Sequence, residues 1–290
     1  MDWTKTEDNF NNVVGITAGY STYKFVPKII KKPYSRYFCE QVAKITPEEN
    51  AQLRAAAHDA FEHSDLKQKG VEIVHVTQDN YKSVTQKLID AQRKQRDKKF
   101  NKNFSKKLNS SLKKVDNKLF EKISTIGSGK NAGYVALTNQ VLVNEEKMSF
   151  STFHEMGHAI NKNCTGLKKL LSKSRVYFAT AVPVTLAIGL LTRDHKPSDG
   201  KETFADKEYA FIKKHCGLIS GLCMLPTLIE EGLASINGQK LAKSRLSPEL
   251  YKKLVSLNTK AFGSYAIAAV LIGIFAHLAV YIKDKITGDK

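Results

Sequence analysis

Two long stretches without a charged residue, both in the C-terminal part of the chain, restrict its fold most. Val176 to Thr192 is 17 residues long between Arg175 and Arg193, and Ala261 to Ile282 is 22 residues long between Lys260 and Lys283. A helix rises about 1.5 Å per residue and the hydrocarbon of a bilayer is about 30 Å thick, so roughly 17–25 such residues suffice to span it. Both stretches qualify. A third, Cys216 to Ile229, has only 14 residues, which by length alone suits a buried core helix or a re-entrant segment. The mean hydropathy of −0.33 would pass for a soluble chain only because the apolar residues are unevenly spread.

The rest of the chain is strongly basic. Across 290 residues, 46 Lys and Arg face 28 Asp and Glu, a formal net charge of +18. With 42% hydrophobic residues there is enough apolar material for a packed core, which excludes a wholly disordered or collagen-like chain. Much of the excess charge lies between Lys82 and Lys122, where 14 basic residues meet four acids. Leu88, Phe100, Phe104, Leu108, Leu112, Val115 and Leu119 recur there near helical spacing, predicting one or two amphipathic helices with a lysine-rich outer face. The four cysteines are scattered and form no C-x-x-C pair, so reduced thiols are expected. Asp2, Glu7 and Asp8 precede any apolar run, which is not the pattern of a cleaved secretory signal.

Local signals place further elements. Residues 1–45 interleave aromatics with lysine and read as an interfacial segment. Thr46-Pro47-Glu48-Glu49 carries a capping residue, a first-turn proline and two acids, so a helix begins there and runs to about His63. Val71 to Val76 suits a short strand. Gly127-Ser128-Gly129-Lys130 lacks the spacing of a phosphate loop. Tyr134 to Val143 reads as a strand or hairpin turning near Asn139-Gln140, after which Ser149 or Ser151 caps another helix.

That helix contains His154-Glu155-Met156-Gly157-His158. Four residues is about one turn, so the two imidazoles project from one face and can share a metal ion. Glu155, beside the first histidine, can reach a metal-activated water without being a ligand, the position of a general base. A catalytic zinc site needs a third protein ligand and an open position. Cys164 would supply a thiolate in place of a carboxylate and carries less weight.

Leu228-Ile229-Glu230-Glu231-Gly232-Leu233-Ala234-Ser235 resembles the E-G-x-A element of the gluzincin clan of zinc metallopeptidases. Asn131-Ala132-Gly133-Tyr134, ahead of the H-E-x-x-H helix, resembles that clan's substrate-aligning edge strand. The resemblance covers roughly residues 130–236. It implies one Zn²⁺ held by His154, His158 and Glu231, with Glu155 as general base. It also implies an extended protein or peptide substrate paired along Asn131, Ala132, Gly133 and Tyr134. Where many members of the clan place an aspartate to orient an imidazole, this chain has Ser235, a weaker partner. Tyr177, Tyr209, Tyr251 and His215 stay open as oxyanion stabilisers.

Glu202-Thr203-Phe204-Ala205-Asp206 resembles the equivalent element of membrane metallopeptidases related to the CAAX prenyl protease and offers Glu202 as a rival ligand. If 176–192 crosses once, Glu202 falls on the far side from His154, and a return through about 209–229 brings Glu231 back. Glu231 is therefore preferred over Glu202 and Glu230.

The expected fold is α+β and mostly helical, a zincin-like catalytic part joined to about three membrane helices. Residues 1–125 form a basic α/β region. Residues 126–260 form the catalytic region, interrupted by membrane helices at about 176–192 and 209–229, and 261–290 a last membrane helix and tail. Basic residues near the spans number 11 on the His154 side and nine on the other, which tips positive-inside toward a cytoplasmic site. Anionic lipid is an expected partner; a specific nucleic acid is not. The rival reading, from another class, is a membrane-anchored protein that binds nucleic acid or anionic lipid through residues 82–122 without catalysis. His277, inside the last apolar run, reads as a packing histidine.

Overall fold

The computed structural model describes residues 13–21, 41, 44–99, 113–192 and 203–288. Most of the interfacial segment, the middle of the lysine-rich region and Glu202 lie outside them. The chain forms two compact units. One comprises residues 36–169 and 231–259, the other 1–35, 170–230 and 260–290.

In the first unit, α1 (Pro47–Glu62) begins as the sequence predicts. The Thr46 hydroxyl accepts the Glu49 N–H, the Glu49 carboxylate accepts the Thr46 N–H, and Pro47 sits in the first turn. β1 (Glu72–His75) is followed by the basic helices α2 (Tyr81–Lys99) and α3 (Lys113–Gly127). β2 (Gly133–Val135) and β3 (Gln140–Val143) then form a hairpin. Its turn ends at Asn139, whose φ of 56° lies in the left-handed region that asparagine tolerates better than most residues.

The sheet has the order β1-β3-β2, with β1 parallel and β2 antiparallel to β3. Successive side chains of a strand face opposite ways, and β3 uses both faces. Val141 and Val143 join Leu53, Phe61, Phe153, Met156 and Leu254 in one core, while Leu142 joins Val76, Leu88, Ile123 and Ile126 in another. The central strand thus carries α1 on one face and the basic pair α2 and α3 on the other. α4 (Ser151–Asn163) follows the hairpin and buries Phe153, Met156 and Ala159. Neither serine provides the simple cap expected; the residue before the helix is Phe150, and the Ser149 hydroxyl accepts the Ser151 N–H.

The second unit is helical among the described residues. It draws on α5 (Leu167–Leu191), α6 (Phe204–Lys214), α7 (Cys216–Leu222), α8 (Leu225–Ala242) and α9 (Pro248–Thr287). α6 opens with another reciprocal cap, Thr203 with Asp206. The helix expected over about 209–229 is therefore divided. Residues 209–214 belong to α6, and the apolar helix runs over Cys216–Ala242, 27 residues. With Pro248–Thr287, 40 residues, it is one of two helices among the described residues that are long and apolar enough to cross a membrane. α5 would make a third only as a span bent by 41° between Leu167–Arg175 and Tyr177–Leu191. The second unit's small core includes Leu186, Leu190, Cys216, Ala276 and Val280.

Candidate metal centre

α4 delivers three side chains to one place because its apolar residues fix its rotation. Phe153, Met156 and Ala159 are fully buried, which turns His154, Glu155 and His158 toward a shared side. The two imidazole rings meet edge to face with centroids 4.6 Å apart. One ligand atom from each of His154, Glu155 and His158 can be chosen so that all lie within 4.8 Å of one another.

α8 supplies the rest. Glu231 Oε2 lies 3.2 Å from His154 Nε2 and 3.5 Å from His158 Nε2, and Glu231 is only 6% exposed. Zinc bonds of about 2.0–2.1 Å to nitrogen and 2.0–2.2 Å to oxygen in a tetrahedron set ligand atoms about 3.3–3.5 Å apart. The two distances agree with that edge length. This is the donor chemistry of two imidazoles and one carboxylate, and the cluster can bind a metal ion.

Partners around the cluster hold it in place. Ser235, one turn beyond Glu231, puts its hydroxyl 3.1 Å from His154 Nδ1. With a metal on Nε2, Nδ1 would carry the proton and donate to that hydroxyl. Glu230 accepts from the Arg175 guanidinium at 2.6 Å, and it also belongs to the buried cluster that could hold a metal ion. Glu231 is the glutamate with an oxygen 3.2 and 3.5 Å from the two Nε2 atoms.

The edge strand also meets α4. Tyr134 N–H donates to Glu155 Oε2 at 2.7 Å, and Ala132 N–H donates to Ser151 Oγ at 2.9 Å. Two amides two residues apart, one just ahead of β2 and one within it, therefore engage two side chains one turn apart on the helix. Asn131 joins through its side-chain oxygen, which accepts from Ser151 Oγ. Gly133 faces β3 opposite Leu142. The Tyr134 hydroxyl donates to Asn139 at 2.7 Å, and burial pushes its pKa up to about 12, although a hydrogen bond with Asn163 opposes this. It stays protonated at neutral pH. Of the open oxyanion candidates, Tyr251 packs against the first unit's core, while Tyr177, Tyr209 and His215 belong to the second unit.

Sequence reasoning missed the contacts between Ser151 and Ala132 and between Tyr134 and Glu155, because a strand amide leaves no mark in side-chain pattern. It also missed the buried hydrogen bond from Asn237 Nδ2 to Asn161 Oδ1, 2.7 Å long. Asn161 lies one turn past His158, which is the one signal that placed it on the same side of α4. Comparison with known proteins returns no matching family model, no matching characterised protein and no matching solved structure.

Proposed function

We propose that this chain is a membrane-bound zinc metallopeptidase of gluzincin type, with His154, His158 and Glu231 holding the metal and Glu155 as general base. The observation that carries this reading is the convergence of both Nε2 atoms on one Glu231 oxygen at 3.2 and 3.5 Å, although His154 lies 77 residues from Glu231 in sequence. A zinc ion bound there supplies acidification of a water and polarisation of a substrate carbonyl.

The chain's own residues do the remainder. Glu155 accepts a proton from the attacking water and delivers it to the leaving amine nitrogen. The Tyr134 N–H holds Oε2 of that carboxylate, leaving Oε1 to carry the proton. Ser235 keeps His154 in the tautomer that turns Nε2 to the metal. An extended peptide along Asn131 to Tyr134 must compete with Ser151 and Glu155 for the Ala132 and Tyr134 amides, so substrate entry is coupled to the orientation of the base. The exposed lysines of α2 and α3, Lys82, Lys87, Lys94 and Lys118 among them, support anionic lipid as a partner. Three membrane helices and a cytoplasmic catalytic face complete the reading.

Metal content of detergent-purified protein tests it. One zinc per chain in the wild type, lost in both His158→Ala and Glu231→Ala, is expected. Glu155→Gln should retain the metal and lose peptide hydrolysis by at least about 10²-fold. A folded wild type without stoichiometric metal would overturn the proposal.

A further inference from the structure

We propose that two glycines, Gly157 and Gly238, act as positioning residues that set the distance between the metal-binding helices. The inference rests on the metallopeptidase reading and concerns what holds its ligands in register. Gly157 stands between the two histidines. A Cβ added there would lie 2.7 Å from the carbonyl carbon and 2.9 Å from the Cα of Ala234, three residues past Glu231. Gly238 is seven past Glu231, and a Cβ there would lie 2.6 Å from the Phe153 carbonyl carbon and 3.0 Å from His154 N. Both obstacles are backbone, so no rotamer change relieves them and the helices themselves would have to part.

The register explains why this matters at the metal. Gly157 against Ala234 and Phe153 against Gly238 are contacts one turn apart on each helix, with the helices running antiparallel. The neighbouring row pairs His158 with Glu231 at 3.5 Å and His154 with Ser235 at 3.1 Å. The closest backbone approach therefore flanks the ligand row directly. Restoring a carbon–carbon separation of about 3.5 Å would part the helices by roughly 1 Å, whereas a metal site tolerates about 0.2 Å in its bonds. The hydrogen bond between Asn237 and Asn161, at residues 7% and 0% exposed, ties the same two helices together.

The test is zinc affinity of the full chain in detergent, by competition with a chromogenic chelator, together with the visible spectrum of the Co²⁺ form. Gly238→Ala should weaken zinc binding by about 10- to 100-fold and alter the Co²⁺ bands while the helical circular dichroism stays unchanged. Gly263→Ala, where an added Cβ meets nothing within 4 Å, should match the wild type. Unchanged affinity and spectrum in a helical Gly238→Ala would overturn this inference and leave the peptidase reading standing; a wild type that binds no metal would overturn that reading first. If Gly238→Ala is not recovered folded, Gly157→Ala, whose added Cβ would meet the Ala234 backbone, serves in its place, and undiminished zinc affinity in it would likewise overturn the proposal.

Discussion

The two units treat apolar side chains in opposite ways. In the unit that carries the histidines, Phe153, Met156, Leu53 and Leu254 are fully buried between helices and a sheet. In the other, Val184, Leu218, Ile267 and Val270 are each about 60% exposed on long helices. A packed core gains stability from close contact within the chain, whereas an exposed apolar helix surface of this length requires a covering from outside it. The difference separates what the protein holds by itself from what a bilayer would hold for it.

Truncation of the core should reveal the contrast most strongly. Phe153→Ala is expected to cost about 3–5 kcal/mol through lost burial and an unfilled cavity, whereas Ile267→Ala should cost under about 1 kcal/mol. Thermal unfolding in lipid-containing micelles, followed by circular dichroism, compares them. Equal losses would mean that Ile267 is buried against protein and would break the division.

The second unit has its own dependence on a polar cluster. Lys283 Nζ donates to the Thr192 carbonyl at 3.0 Å and to Asp284 at 3.1 Å, and Lys213 pairs with the same carboxylate at 2.9 Å. Both lysines are almost fully buried. Asp284→Asn takes away the charge they share and should cost about 3 kcal/mol. Fluorescence of a reporter placed in α6 would show that unit loosening, and a reporter that reads the same in wild type and Asp284→Asn would show that the cluster contributes nothing.

A smaller loss than those of Phe153→Ala and Asp284→Asn is expected at the start of α1. Thr46→Ala removes one half of the reciprocal cap and should cost about 1 kcal/mol. Glu49, its other half, accepts a hydrogen bond from the Lys253 ammonium, which holds its carboxyl below the usual range. A lowered folded-state value gives stability that is present above about pH 4.5 and lost as the pH falls through the folded value. Melting temperatures of the wild type and Glu49→Gln between about pH 6 and pH 3 should therefore converge on the acid side. A gap that stays constant would show that the pair contributes nothing through charge.

Much of the fold is legible where the cause is local. Thr46 and Pro47 announce α1, β1 follows from its apolar residues, and the hairpin turn falls at Asn139. The four-residue spacing of His154 and His158 needs nothing beyond the helical repeat. The Thr203–Asp206 cap is equally local, a threonine with an acid three residues on, but the same five residues also fit a ligand element, and the pattern alone does not separate the two. The division between α6 and the apolar helix at His215 was illegible, since an uncharged run shows where a membrane can accept a helix and not where the helix starts.

The sequence by itself determined the presence of apolar helices of spanning length, the basic surface of α2 and α3, and two imidazoles and a carboxylate on one face of α4. These follow from periodicity and composition within a single element. Only the tertiary structure decided that Glu231 stands beside the histidines while its neighbour Glu230 accepts from Arg175, and that the Tyr134 amide holds Glu155. Such choices depend on how closely two helices distant in sequence can approach. At Gly157 and Gly238 that approach is set by the absence of a side chain, which acquires meaning only when the opposing backbone is in place.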